Sequence, residues 1–291
     1  MLARLFVALQ HILPRHWITA VVYRVARIRT IAVKNALING FVRLYDVNVD
    51  EISLHVPADF ATFNDFFIRE LKSGARPVDT DSLSIASPVD GTISVATRLD
   101  AHSILQAKGL SYSLDDLFAI DLDEARAYTN GSVTTIYLAP YNYHRVHMPI
   151  DGVLIAAHYV PGDLFSVNEA TVRLVPGLFR RNERLVMHFE TSHGPVALVF
   201  VGALNVGSIS TPWTGEIRPR KKAAVESLDI SSAPRALKKG DLLGWFNMGS
   251  TVILLLPNGV ATWHESLRPG TPVRIGEAIA SLHNGAARET P

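Results

Sequence analysis

The chain has 291 residues, with 28 Lys and Arg against 27 Asp and Glu, a formal net charge of +1 and 48% hydrophobic content. So even a balance speaks against a nucleic-acid binder, which would carry a strong basic excess, and the absence of cysteine excludes a disulfide framework, thiolate zinc sites and a cysteine nucleophile. The length admits one large domain or two small ones with an ample core, and no fixed-period repeat or low-complexity tract divides the chain.

The first 45 residues contain no acidic residue, whereas Arg4, Arg15, Arg24, Arg27, Arg29, Lys34 and Arg43 are all basic. Leu2, Leu5, Phe6, Leu9 and Leu13 recur at helical spacing until Pro14 breaks the pattern, and Ile18, Val21, Val22, Val25 and Ile28 form a second apolar stripe. The longest uncharged runs, 5–13 and 16–23, fall short of the roughly 20 residues a bilayer span needs. A spanning helix would also bury arginines at about 2.5–3.5 kcal/mol each. No small-residue cleavage site precedes Pro14-Arg15, so a cleaved signal peptide fits less well. Helices lying in the plane of an anionic membrane suit the pattern best, since each buried apolar side chain adds about 1.5–3 kcal/mol and each nearby cation about 1 kcal/mol. The competing reading is a pair of amphipathic helices packed on the protein's own core.

A further helical segment is expected over 63–72, ending at Ser73-Gly74 before Arg76-Pro77. Beyond it the texture changes to short apolar runs bounded by Gly, Pro, Asn and Asp: 92–96, 133–138, 153–157, 185–189, 196–201, 204–209 and 252–256. Residues 121–130 read as one helical interruption. The pattern predicts an α+β, mainly β protein: amphipathic helices over 1–75, then a sandwich or barrel-like β domain over 76–291. Arg218, Arg220, Lys221 and Lys222 form a basic run that reads as a solvated loop, with contact to lipid phosphates as the alternative. Near the end, two apolar strands are expected to meet at the small-residue corner Gly249-Ser250-Thr251, with Val252 to Leu256 buried and Pro257-Asn258-Gly259 turning the chain.

Three other segments carry candidate chemistry. Ser87-Pro88-Val89-Asp90-Gly91 sets a carboxylate in a turn before a strand, where an Asx-type turn is the plain explanation. Pro140-Tyr141-Asn142-Tyr143-His144-Arg145-Val146-His147-Met148-Pro149 places two histidines three apart between strand-like runs. Strand geometry sends residues three apart to opposite faces, which disfavours a metal pair. Pro161-Gly162-Asp163-Leu164-Phe165-Ser166-Val167-Asn168 either lines a pocket or merely shapes a loop. His188 and His264 read as structural. An Asp, a His and a Ser in separate segments permit a charge relay, but there is no Gly-x-Ser-x-Gly elbow, and spacing alone does not show that they meet.

Taken together, these segments resemble the bacterial membrane-associated phosphatidylserine decarboxylases over nearly the whole chain. The likeness rests on Phe63-Asn64-Asp65-Phe66-Phe67-Ile68-Arg69, Pro88-Val89-Asp90-Gly91, Tyr143-His144-Arg145-Val146-His147-Met148-Pro149, the 161–168 segment, Arg181-Asn182-Glu183-Arg184 and Gly249-Ser250-Thr251. Met248 departs from the leucine often found in the family, a swap that nearly conserves volume. The resemblance implies a self-processing enzyme in which Asp90 and His147 activate Ser250 for attack on Gly249. Cleavage between Gly249 and Ser250 would give chains 1–249 and 250–291 and turn Ser250 into a covalent pyruvoyl group. That group would take the amine of phosphatidylserine as a Schiff base and act as electron sink for loss of CO2, with His144 as proton donor or carboxylate-positioning group. Glycine at 249 would leave the attack unobstructed and tolerate a strained backbone. The resemblance further implies no metal, a heterodimer of the two chains, and a peripheral place on the cytoplasmic face of the cell membrane. Two rivals come from other classes: a metal-dependent hydrolase with Asp90, His144 and His147 as ligands, and a non-catalytic membrane-binding β module.

Overall fold

The computed structural model describes residues 2–119, 125–205, 208–220 and 224–283. Three helices form the front of the chain: α1 (Leu2–Ile12), α2 (Arg15–Val25) and α3 (Ile31–Tyr45). Pro14 separates the first two, which meet at 92°, and no single described helix is long and apolar enough to cross a membrane. The third helix continues the amphipathic front beyond the two stripes legible in the sequence. The short α4 (Phe63–Phe67) is capped by Thr62 Oγ1, which accepts from the backbone N–H of Asp65 at 3.1 Å. It stops five residues before the expected end at 72. Residues 70–72 instead pair with 51–53 through Ser53 N–H to Glu70 O at 3.1 Å and Lys72 N–H to Glu51 O at 2.8 Å. Tertiary pairing there overrides helical propensity.

The β body runs in order as β1 (Ser84–Ala86), β2 (Gly91–Arg98), β3 (Ser103–Ala107), β4 (Leu110–Ser113), α5 (Leu114–Phe118), β5 (Ser132–Leu138), β6 (Arg145–His147) and β7 (Val153–Val160). Two short helices, Glu169–Leu174 and Leu178–Arg181, precede β8 (Arg184–Thr191) and β9 (Gly194–Val201). Then come β10 (Ile209–Thr211), β11 (Gly215–Ile217), β12 (Glu226–Ser227), β13 (Leu242–Phe246), β14 (Ser250–Leu256), β15 (Ala261–Trp263), β16 (Pro272–Val273) and β17 (Ala278–Leu282). Of the expected strand over 204–209, residues 206 and 207 lie outside the described residues, Leu204 and Asn205 form a turn, and the strand proper starts at Ile209. The helix expected over 121–130 lies partly outside the described residues too, with turn over 127–130.

The largest sheet has eight antiparallel strands in the order β12-β7-β8-β9-β14-β5-β2-β16. It is open, with β12 and β16 at its edges, so the barrel-like alternative gives way to sheets packed on one another. The four-stranded sheet β11-β10-β13-β6 lies against it where the Phe200 and Phe246 rings approach to 5.4 Å. β14 is central and buried at all seven positions, held by β5 on one side and β9 on the other. The main hydrophobic cluster fills the β body. A second cluster joins Ile38 of α3 with Phe60, Phe63, Phe66 and Phe67, and Met248 packs against both.

Val252 through Leu256 are each fully buried. Leu254→Ala is expected to cost about 2–5 kcal/mol through lost transfer energy and a residual cavity, read as a lowered thermal melting temperature.

Candidate active site

Ser250 opens β14 opposite Leu138 of β5 and is 1% exposed, with an Oγ atom that has no hydrogen-bond partner. The loop after β5 brings the histidines back to this corner. Asn142 Oδ1 accepts from the Ala139 N–H at 2.7 Å and closes that loop, and β6 then pairs with β13, the strand that leads into Gly249. Phe246 N–H donates to the His144 carbonyl at 3.0 Å. His144 precedes β6 rather than sitting in it, so the two histidines are not simply on opposite faces of one strand.

Each imidazole is fixed by a backbone carbonyl. His144 Nδ1 donates to Asn142 O at 2.8 Å and its ring lies against Phe67, centroids 4.2 Å apart. His147 Nδ1 donates to Gly240 O at 2.7 Å and stacks on Tyr143. A carbonyl only accepts, so Nδ1 carries the hydrogen in both rings, and each Nε2, buried and without a partner, is a free base. Burial, with help from the Arg69 guanidinium, pushes His144 down to about 3. His147 is also lowered, chiefly by burial, while its bond to Gly240 and the negative charge of Asp90 oppose the shift. Gly240 has φ +93°, and a Cβ there would stand 2.8 Å from a Val78 methyl, so the carbonyl that orients His147 comes from a position suited to glycine.

A Cβ on Gly249 would lie 3.5 Å from His144 Nε2 and 3.6 Å from Leu138 O, in space that glycine leaves clear. Its backbone is not in the left-handed region, so the strain anticipated for it is absent. Gly249 and Ser250 line a cavity of about 200 Å³ together with Phe41 and Tyr45 of α3, Ser166 to Asn168, and Ala203 to Asn205. The 161–168 segment is thus pocket wall as well as loop. A larger cavity of about 830 Å³ shares Tyr137 and Val167 with it but contains none of the catalytic candidates.

Asp90 is 4% exposed and occupied elsewhere. Arg76 Nε lies 3.0 and 2.9 Å from its two oxygens and Nη2 is 2.6 Å away, while Ile275 N–H donates at 2.9 Å. Asp90 and His147 are therefore not hydrogen-bonded to one another, and the relay anticipated from Asp90 through His147 to Ser250 is not assembled as a contact chain. Asp90 reaches His147 only through its field. The metal-hydrolase ligands do not converge either: among the described residues no three His, Cys, Asp or Glu side chains are grouped as a metal would need. Arg76 and Gly240 were not legible as site residues, because each acts through a fold contact with no local motif.

The remaining sequence candidates are accounted for by packing. His188 meets the edge of Phe118 at 5.0 Å, and His264 Nε2 is 3.3 Å from Ser281 Oγ. In the basic run, Arg218 lies over the Tyr23 ring and Arg220 pairs with Glu226; Lys221 and Lys222 lie outside the described residues.

A buried, unpartnered serine behind a glycine that stands next to a neutral imidazole, in a β body, outlines a protein equipped to act on its own backbone. A family profile described as phosphatidylserine decarboxylase matches residues 63–281, and a second, described as PSD, matches residues 5–46. The phosphatidylserine decarboxylase proenzyme of Alcanivorax borkumensis is 44% identical over 282 residues, covering 97% of this chain and 97% of that one. That of Hahella chejuensis is 43% identical over 279 residues, covering 96% and 94%, and that of Bordetella pertussis 45% over 280 residues, covering 95% and 94%. The chain belongs to the phosphatidylserine decarboxylase family.

Because His144 is depressed in the folded chain and ordinary in the unfolded one, the unfolded state takes up the proton first as pH falls. Stability is therefore unaffected by this group above about 6.5 and declines as pH drops from there toward about 3. Thermal melting from pH 7 to pH 4 should show a shallower decline in His144→Gln, by up to about 1.4 kcal/mol per pH unit.

Proposed function

We propose that this chain is a proenzyme that cuts itself between Gly249 and Ser250 and then decarboxylates phosphatidylserine to phosphatidylethanolamine, a step of phospholipid biosynthesis. The observation that carries the reading is Ser250 itself: buried, with an unpartnered Oγ, behind a glycine that leaves space clear toward His144 Nε2, in a chain of this family.

In the cleavage, Ser250 Oγ–H gives its proton to the unprotonated Nε2 of His147, two atoms that are not hydrogen-bonded at rest and must approach for the step, and Oγ bonds to the Gly249 carbonyl carbon. The C–N bond breaks as the nitrogen takes a proton, leaving an ester between Gly249 and Ser250. Removal of the Ser250 α-proton breaks the Cβ–Oγ bond, which releases the Gly249 carboxylate and leaves dehydroalanine at the head of 250–291. Tautomerisation, addition of water and loss of ammonia leave a ketone. Asp90, held by Arg76, supports positive charge on His147 through its field rather than by contact.

The residues fit a pyruvoyl group at 250: Ser250 lines the 200 Å³ cavity, and no side chain on Gly249 crowds it. When present, the ketone supplies an electron sink for an amino-bearing carboxylate. Around it, Phe41 and Tyr45 line the cavity, and His144 Nε2, unprotonated at rest, takes a proton from water and passes it to the carbon that loses CO2. The two chains would stay together as a heterodimer through the pairing of β14 with β5 and β9.

The same reading seats the front helices on the membrane, at the cytoplasmic face. Leu5, Leu9, Ile12 and Trp17 are 66%, 49%, 82% and 68% exposed. Four of the seven basic residues, Arg4, Arg24, Arg29 and Arg43, are exposed and have no carboxylate partner among the described residues, so they remain available to lipid phosphates. Arg15, Arg27 and Lys34 are engaged by Asp163, Glu216 and the Pro57 carbonyl, so the helices also pack on the protein's own body.

Denaturing intact-mass measurement of purified protein tests the cleavage. Wild type should give a chain ending at Gly249 and one beginning with a blocked residue 250, whereas Ser250→Ala should stay a single chain of about 31.9 kDa. Cleavage of Ser250→Ala would sink the reading. Wild-type processing should lose less than half of its high-pH rate at pH 6.5, where an ordinary imidazole is half protonated, because burial holds His147 below its usual range. Trp17→Ser with Ile12→Ser should reduce sedimentation with phosphatidylglycerol-containing vesicles severalfold, and unchanged sedimentation would count against the membrane seat.

A further inference from the structure

The bond to be cut lies on a seam. Its downstream residue, Ser250, belongs to β14 and is held by β5 and β9. Its upstream side is held by other elements. Asn247 is 3% exposed, and its Nδ2 donates to Ser208 Oγ at 2.7 Å and Ser210 Oγ at 3.0 Å, while its backbone N–H donates to Ser208 O at 3.0 Å. Its Oδ1 accepts from Asn64 Nδ2 of α4 at 3.2 Å, and the Asn64 N–H in turn donates to Ala26 O at the end of α2 at 2.8 Å. Met248, the next residue, packs against both hydrophobic clusters.

A second line runs from α2 to the same point. Tyr23 Oη donates to Glu216 Oε2 at 2.9 Å, and Arg27 pairs with Glu216 Oε1 at 2.7 Å. The Tyr23 ring is enclosed by the Arg27 and Arg218 guanidinia at 3.6 and 4.2 Å. Ser208 Oγ donates to Glu216 Oε1, and Ser208 is the residue that Asn247 grips from the other side. The front helices hold the cavity walls as well: Gln10 Oε1 accepts from Ser166 N–H at 2.8 Å, and Thr19 Oγ1 from Asn205 N–H at 3.2 Å.

We propose that Asn247 is a positioning residue for self-cleavage, and that docking of the front helices sets its place through Asn64 and through the Glu216–Ser208 link, so that the chain is cut only once its membrane-facing helices are seated. The inference rests on the self-processing reading above. Attack of Ser250 Oγ on Gly249 needs near-attack geometry, and a displacement of about 1 Å costs roughly a hundredfold in such reactions. Ser250 is fixed by its strand, which is buried at every position and paired on both sides. Asn247 therefore decides whether the Gly249 carbonyl meets Oγ. After the cut its two sides belong to separate chains held by separate elements, which lets the cavity relax around residue 250.

The test is the cleavage rate of freshly purified precursor, followed by intact mass alongside the thermal melting temperature, for Asn247→Ala, Glu216→Ala, Glu216→Gln and Tyr23→Phe. Asn247→Ala and Glu216→Ala should slow cleavage about tenfold or more with melting temperatures within a few degrees of wild type. Glu216→Gln, which keeps one oxygen to accept from Ser208 and Arg27 and turns its N–H toward the Tyr23 hydroxyl, should recover to within about threefold of wild type. Tyr23→Phe should slow cleavage to a lesser degree. Hydroxylamine, which cuts the ester, should not restore the rate in Asn247→Ala, because the slowed step precedes the ester. Wild-type cleavage rates in both Asn247→Ala and Glu216→Ala overturn the proposal, as does equal slowing by Glu216→Ala and Glu216→Gln. A wild-type chain that is never cut at 249/250 instead overturns the self-processing reading, which separates the two failures.

Discussion

Ser250 is the first residue of β14, the longest of the described strands that are buried at every position, and the site depends on where that strand begins. Five aliphatic side chains in succession, Val252 to Leu256, are removed from water entirely. At about 1.5–3 kcal/mol each they supply of order 10 kcal/mol toward holding β14 in place. Seven paired positions with β5 and five with β9 fix its register. A hydroxyl at the mouth of such a strand is desolvated and stationary. That costs stability, because an unpartnered buried hydroxyl costs about 1–3 kcal/mol, and it also leaves the oxygen free to react.

The electrostatics follow from the same burial. Both histidines are kept neutral by exclusion of water and turned by backbone carbonyls, so no carboxylate is needed to choose their tautomer. Asp90 is itself buried, and an unpaired carboxylate there would be costly. The bidentate Arg76 and the Ile275 N–H satisfy it instead. Removing Arg76 would leave a buried charge, whereas Asp90 in place imposes a negative field on His147 from a fixed distance. The acid and its histidine are thus coupled by field, within a scaffold that holds each by separate contacts.

The front helices serve two surfaces. Their outer side exposes large apolar residues and arginines that have no carboxylate partner among the described residues. Their inner side contributes Val7, Gln10, Thr19, Ala26 and Ile38 to the folded body, along with hydrogen bonds to Ser166 and Asn205 in the walls of the Ser250 cavity, and it meets the residues before Gly249 only through Asn64 of α4. Membrane seat and packed element were alternatives for the same stripes, and a helix with two usable faces allows both.

Local pattern carried much of this protein. Pro14 ending α1, the apolar run of β14, the Gly-Ser-Thr corner at its mouth and the mainly β texture after residue 75 are all properties of neighbouring residues, and periodicity and turn chemistry report those directly. The early end of α4 was not legible, because residues 70–72 leave the helix to pair with 51–53, a contact set by chain segments about twenty residues apart. Arg76 against Asp90, Gly240 against His147 and Asn247 against Ser208 lie 14, 93 and 39 residues from their partners, and none forms a motif. Residue types alone proposed an acid, a base and a nucleophile. Only the packed chain determined that the acid is held by an arginine, that both imidazoles are aimed by carbonyls, and that the Gly249-Ser250 corner joins a strand of one sheet to a strand of another, because each of those facts depends on which distant backbone groups burial brings together.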